Sequence, residues 1–288
     1  MAIHWFPGHM AAATREIKEA MSGVDVVLEV LDARVPRSSC NPMVDDLRGS
    51  KPHIKVMAKA DLADPAVTAH WVRVFEATPG VRAIPHESAH PERARKLVDL
   101  ARTLLPADRN KARPMQLLVL GVPNVGKSTL INTLAKRTIA KTGNVPAVTK
   151  HQQVVPIPGN VVLVDTPGFL WHKLDPPDVG YRLAVSGSIV DRVIDYTDVA
   201  MWAIRYFRTT YPELLKARYK LAALPEDDAG TLEAIARKRA CVASGGDVDW
   251  HKVSELVVRE FRQGTLGRIT LERPSDWARP EPVVEAPP

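Results

Sequence analysis

The chain predicts an α/β domain with a mostly parallel sheet, followed by a small all-α domain. Three observations carry this. Short apolar runs alternate with helix-periodic segments through the first 170 residues. One of those runs enters a phosphate-loop motif that opens a helix, Gly121-Val122-Pro123-Asn124-Val125-Gly126-Lys127-Ser128-Thr129. From about Asp175 the strand-like runs stop, and the remaining periodic segments all read as helices. The implied division is residues 1–175, 176–273 and a tail, 274–288, rich in proline and glutamate and expected to be disordered.

The elements follow in order. Trp5-Phe6-Pro7-Gly8-His9-Met10 precedes a helix from about Ala11 to Met21, which Ser22-Gly23 ends. The near-continuous apolar run from Asp25 to Arg34 reads as a strand buried on both faces. A short helix is expected near Asn41 to Leu47, and a second strand over Ile54 to Met57 that ends in Ala58-Lys59-Ala60-Asp61. Asp64-Pro65 combines a cap with proline at the first helical position. Val67, Trp71, Val74 and Phe75 give that helix an apolar face. A third strand, Val81 to Ile84, ends at Glu87-Ser88-Ala89-His90, and Pro91 to Leu105 is a helix with Ala94, Leu97, Leu100, Ala101 and Leu104 inward. Residues 106–114 form a basic linker into the phosphate-loop strand. After that loop's helix, Lys141 to Lys150 lacks apolar periodicity and reads as a loop. Gln152 to Ile157 and Asn160 to Val164 flank Pro158-Gly159 as a hairpin. Helices are expected over Leu183 to Val193, Thr197 to Thr209, Pro212 to Tyr219, Leu232 to Ala240 and Trp250 to Arg262.

Composition narrows the class. No apolar run approaches the length of a membrane span, and the first residues show no secretory signal, so a cytoplasmic protein without membrane attachment is expected. Two cysteines, Cys40 and Cys241, have no spaced partners, which excludes a zinc or disulfide framework. A net charge of +6 leans toward an anionic partner, although mild basicity is also common without one.

The chemistry begins at the phosphate loop. Its glycines let backbone N–H groups point at phosphates, and the helix that follows adds positive potential. Lys127 would reach the outer phosphates, and Ser128 would ligate Mg2+. Asp165-Thr166-Pro167-Gly168 closes a buried strand. There Asp165 can hold a magnesium-bound water, and the Gly168 N–H can bind a terminal phosphate. Thr149 can complete the magnesium shell. Asp61 and Ser88-Ala89 close two other strands, where ligands sit in open α/β sheets. A carboxylate at Asp61 can accept two hydrogen bonds from a guanine edge, and Ser88-Ala89 can offer a backbone N–H to the guanine oxygen. Together these are the parts of a protein that binds GTP and GDP, with the base-reading parts ahead of the phosphate loop.

That order resembles a circularly permuted Ras-like GTPase. With Trp5-Phe6-Pro7-Gly8-His9-Met10, Asp32-Ala33-Arg34 and Asn41-Pro42, the chain resembles the ribosome biogenesis GTPase A family up to about Arg273. Tyr211-Pro212-Glu213, Pro225-Glu226-Asp227 and Ser244-Gly245-Gly246 match as well. The resemblance implies a GTP-hydrolysing assembly factor that acts on the large ribosomal subunit precursor and its rRNA; a monomer is expected. For His9, local sequence reads as a cap or packing histidine, whereas the resemblance implies that it positions the attacking water. Asn124 reads locally as an ordinary loop residue, and the resemblance links it to K+ dependence. Phe169 stands where Ras-like proteins carry a water-orienting glutamine.

Two residues depart from the family pattern. Ala58 replaces the asparagine of N-K-x-D in Ala58-Lys59-Ala60-Asp61, the residue that ties base to phosphate loop. Loss of one such hydrogen bond costs about 0.5–1.5 kcal/mol. Ala147 stands where the family often has glycine, which stiffens the loop before Thr149. The basic residues of the helical region, interleaved with Tyr206, Tyr219 and Trp250, suit RNA, although a solvated helix face has the same composition. Rival readings are a nucleotide-sensing rRNA-binding module with negligible turnover, or, prompted by Ala58, a nucleoside triphosphatase of relaxed base specificity or one that uses ATP.

Overall fold

A computed structural model describes Arg15 and residues 17–107, 113–136, 153–171 and 174–277. Its centre is a six-stranded sheet in the order β3-β2-β1-β4-β6-β5. The strands are β1 (Val26–Asp32), β2 (His53–Ala58), β3 (Val81–Pro85), β4 (Met115–Leu120), β5 (Gln153–Ile157) and β6 (Val161–Asp165). All pair in parallel except β5, which returns antiparallel on β6 through Pro158-Gly159-Asn160. Gly159 and Asn160 take positive φ at that turn, which the hairpin needs. Pro156 lies on the outermost strand, where its missing N–H breaks no ladder.

The central strand β1 is buried along its whole length, so its sequence is apolar on both faces. The exceptions are Asp32 at its end and Glu29, fully buried between Val27 and Leu31. Lys55 Nζ, its register partner on β2, donates to it at 2.6 Å, and His53 Nε2 lies at 3.2 Å. Burial pushes the Glu29 carboxyl up, but the Lys55 ammonium, with His53, more than reverses this and holds it down at about 2.

The helices between strands are α1 (Pro42–Arg48), α2 (Pro65–Glu76), α3 (Pro91–Thr103) and α4 (Lys127–Ala135). Asn41 caps α1 through Met43 N, and Asp64 caps α2 through the N–H groups of Ala66 and Val67. In α2 the buried face is Val67, Thr68, Trp71 and Phe75. Val74, expected inward, is 39% exposed, because the stripe at i, i+4, i+8 through 67, 71 and 75 turns it to the flank. In α3, Ala94, Leu97 and Ala101 are buried as expected, joined by Val98, while Leu100 and Leu104 are half-buried.

Past residue 175 the elements are α5 (Asp178–Ser186), α6 (Tyr196–Thr210), α7 (Pro212–Tyr219), α8 (Asp228–Lys238) and α9 (Trp250–Arg262). The helix expected over 183–193 begins earlier and stops at Gly187, whose φ of 86° closes it; Asp191–Val193 is a separate 3-10 turn. Helix α8 also begins earlier than expected, capped by Asp227 on the N–H of Gly230, a glycine that hides the helix start in the sequence. An isolated bridge, Val242 to Val248, is the one strand-like pairing described in this region. Pro274–Trp277, expected within the disordered tail, forms a 3-10 turn, and Trp277 Nε1 donates to Glu272.

One apolar cluster runs from the sheet face of Val30, Val56 and Val119 to Leu183, Ile204 and Phe261 of the helical region. The buried Arg34 crosses the same boundary. Its guanidinium donates to the carbonyls of Phe261, Arg262 and Ser186. Among the described residues no helix is long and apolar enough to cross a membrane.

Candidate functional site

The carboxyl ends of β4, β6 and β2 place three loops side by side. The first follows β4. Gly121 has no room for a side chain: a Cβ there would lie 2.3 Å from the Val30 carbonyl oxygen. The chain then turns through Asn124 and Gly126, both at positive φ, and enters α4 at Lys127. Val125 is buried in the core. Ser128 and Thr129, in the first turn of α4, are half-buried. Lys127 Nζ curls back and donates to the carbonyls of Gly121 at 2.9 Å and Val122 at 3.0 Å. Burial lowers its pKa to about 8, against the pull of the nearby Asp165 carboxylate.

The second loop closes β6. Asp165 is 1% exposed, and both the N–H and hydroxyl of Thr166 donate to the Val119 carbonyl. Gly168 presses on the first loop: a Cβ there would lie 2.9 Å from Lys127 Nζ and 2.9 Å from Pro123 Cα. Phe169 turns away into an apolar cluster with Ile17, Leu118 and Leu120, so it offers nothing polar to a phosphate.

The third loop follows β2. Ala58 is buried, with its Cβ 3.5 Å from where a side chain on Gly126 would begin. Lys59, at positive φ, sends its ammonium to Asp32 Oδ2 at 2.8 Å and to the Asn124 carbonyl at 2.9 Å. Asp61 is exposed. Ser88 and Ala89, also exposed, follow β3, which is tied to this loop by the bonds His86 N to Met57 O and Ala60 N to His86 O. Asn124 spends its side-chain amide elsewhere, on the Gly187 carbonyl at 2.8 Å. His9 and Thr149 lie outside the described residues.

Sequence reasoning gave Asp32 and Arg34 no role in the site. They form a fully buried pair, with Arg34 Nε and Nη2 on the two carboxylate oxygens at 2.9 and 2.8 Å. Burial opposes the charge on Asp32, but the guanidinium of Arg34 and the ammonium of Lys59 hold its carboxyl well below the usual range. The available signal was an opposite-charge pair two residues apart at the end of an otherwise apolar strand.

The donor set suits a small hard cation only in part. Ser128 and Asp165 carry oxygen donors, and no group of three His, Cys, Asp or Glu among the described residues could hold a metal alone. Mg2+ binds with few protein ligands when phosphate oxygens supply others, so these residues fit it as a companion of a nucleotide.

Known proteins share this arrangement. Residues 116–222 match a family model described as 50S ribosome-binding GTPase. The ribosome biogenesis GTPase A of Bacillus pumilus is 44% identical over 281 residues, covering 95% of this chain and 99% of that one. The protein of the same name from Thermotoga maritima is 32% identical over 94% of this chain and 95% of its own. The structure of GNP-bound YlqF from T. maritima matches with a TM-score of 0.68 at 29% identity, covering 91% of this chain and 98% of that one. Its GDP-bound structure matches with a TM-score of 0.66. The sheet has the permuted order expected, with the strands before Asp61 and Ser88 preceding the phosphate-loop strand in the chain. On this identity over nearly the full length of both chains, the protein belongs to the ribosome biogenesis GTPase A family.

Proposed function

We propose that this GTPase acts in the cytoplasm, as a monomer, on the precursor of the large ribosomal subunit, and that its hydrolysis times release from that particle. The observation that carries the nucleotide site is the Lys59 bridge. One ammonium joins the loop of Asp61 to the carbonyl of Asn124 in the phosphate loop, so loops from either side of β1 meet, which supports a ligand shared between them. The description of the matching family model as a 50S ribosome-binding GTPase supports the large subunit as partner.

In this reading the N–H groups of Asn124 to Thr129 and the Lys127 ammonium bind the phosphates. Asp61 accepts from the guanine edge, and Ser88 and Ala89 close over the base. Ser128, Thr149 and Asp165 would hold Mg2+, which supplies charge neutralisation on the phosphate oxygens when bound. The Gly168 N–H senses the terminal phosphate. Phe169 lies in the core, so the water-orienting group comes from elsewhere, and His9 fills that role. Asn124 would hold K+, for which its side chain would give up the Gly187 carbonyl. Residues 1–175 carry the nucleotide, and the helical region 176–273 carries rRNA.

The test is GTP turnover by the purified protein with and without large subunits, in potassium and in sodium. Expected are stimulation by subunits, dependence on potassium, and loss of stimulation in His9→Ala. Turnover indifferent to subunits would leave the nucleotide-sensing module as the better account.

A further inference from the structure

The loop that carries Asp61 is held from outside by the far end of the chain. Three of its carbonyls accept hydrogen bonds from a strap at Gly264 to Glu272. Arg268 Nη2 donates to Ala60 O and Arg268 Nε to Ala63 O, both at 2.9 Å. Between them the Ile269 N–H donates to Leu62 O at 3.1 Å. Just beyond, the Asp64 N–H donates to Thr270 Oγ1 at 3.1 Å, and Tyr211 OH donates to Asp64 Oδ2 at 3.2 Å. Leu62 packs against Gly264 so closely that a Cβ at 264 would lie 2.6 Å from it.

This matters because the loop starts at Ala58, which has no side-chain amide to brace it. Its own turn supplies Leu62 N to Lys59 O at 3.0 Å and a longer Ala63 N to Ala60 O at 3.4 Å. Asp61 itself is exposed and sits between the two carbonyls that Arg268 clasps. A carboxylate recognises the N1–H and the 2-amino group of guanine together only when its backbone is fixed before the base arrives. Otherwise binding must order the loop first.

We propose that Arg268 is a positioning residue for guanine recognition, and that the strap does for this loop what the missing asparagine would do from within. The inference rests on Asp61 reading the base. It also makes guanine affinity sensitive to the docking of the helical region, because the strap continues from α9 through Gln263 and is anchored by Leu271 N to Arg34 O at 2.7 Å.

Arg268 is exposed, so truncating it leaves the core intact. The experiment is competition binding of GDP and of inosine diphosphate, which lacks the 2-amino group, to the full chain and to Arg268→Ala, Arg268→Lys and Asp61→Ala. Each hydrogen bond lost corresponds to about a fivefold change in equilibrium. Arg268→Ala, which loses two such bonds, is expected to weaken GDP about five- to 25-fold and inosine diphosphate less, lowering the preference, with partial recovery in Arg268→Lys. An unchanged preference in Arg268→Ala, or equal loss for both nucleotides, overturns the proposal while Asp61→Ala still abolishes the preference. If Asp61→Ala keeps the preference, the base-reading assignment itself fails and takes the proposal with it. Should Arg268→Ala melt several degrees early, Arg268→Lys carries the same comparison, and wild-type preference there counts against the strap.

Discussion

Nucleotide binding should take up a proton at Lys127. This ammonium is buried against the carbonyls of Gly121 and Val122, and its pKa stands at about 8. A phosphate group brought to it favours the charged form and returns the pKa toward the usual lysine value near 10.4. The expected uptake is then about 0.1 proton at pH 7, about 0.5 at pH 8 and about 0.9 at pH 9. Affinity for GDP should accordingly fall about eightfold from pH 7.5 to pH 9. The stability of the ligand-free protein moves the other way. The folded-state pKa lies below the unfolded one, so between about pH 8 and pH 10.4 the unfolded chain binds more protons and stability rises with pH, by about 3 kcal/mol in all. Calorimetric titration of GDP in two buffers of different ionisation enthalpy reads the proton directly, and Lys127→Met serves as control. No uptake at pH 8, together with flat affinity to pH 9, would refute a ligand-facing, desolvated Lys127.

Two further perturbations follow from packing and charge. In Gly168→Ala the new Cβ meets the Pro123 backbone at 2.9 Å, which cannot give way, so the Asp165 to Gly168 segment must lift off the phosphate loop. At about 1–3 kcal/mol for overpacking, a non-hydrolysable GTP analogue should bind about five- to 150-fold more weakly while GDP binds nearly as before; equal affinities would refute the contact. Glu29→Gln leaves Lys55 buried opposite a neutral amide and should cost about 3–5 kcal/mol at pH 7, seen as a lower melting temperature. Because the Glu29 pKa is depressed to about 2, its contribution is present above the ordinary glutamate value and lost as pH falls toward 2. The variant should therefore show a flatter acid limb between pH 5 and pH 2 than the parent, and an equally steep limb would place the acid sensitivity elsewhere.

Much of the fold was legible because it is written in short-range patterns. A buried parallel strand needs apolar residues on both faces, as in β1, and a phosphate loop needs its glycines where backbone must curl, as at Gly121 and Gly126. These requirements act within a few residues, so local sequence carries them. Helix starts were less legible where a glycine sits in the first turn, as at Gly230, because the apolar stripe begins later than the cap.

The site's joinery belongs to tertiary structure. Nothing near Lys59 announces that its ammonium lands on Asn124, 65 positions away, or that Asn124 itself is bonded to Gly187. Arg34 looks like a polar end to a strand, yet it is buried on carbonyls more than 150 positions distant. Arg268 reads as one more surface cation, and only the folded chain sets it against Ala60 and Ala63. Hydrogen bonds from a side chain to a distant carbonyl leave no periodicity and demand no particular neighbour, because every residue type carries the same acceptor. Local sequence thus determined which chemistry this chain can hold, and the packing of its two halves decided which residues keep that chemistry in place.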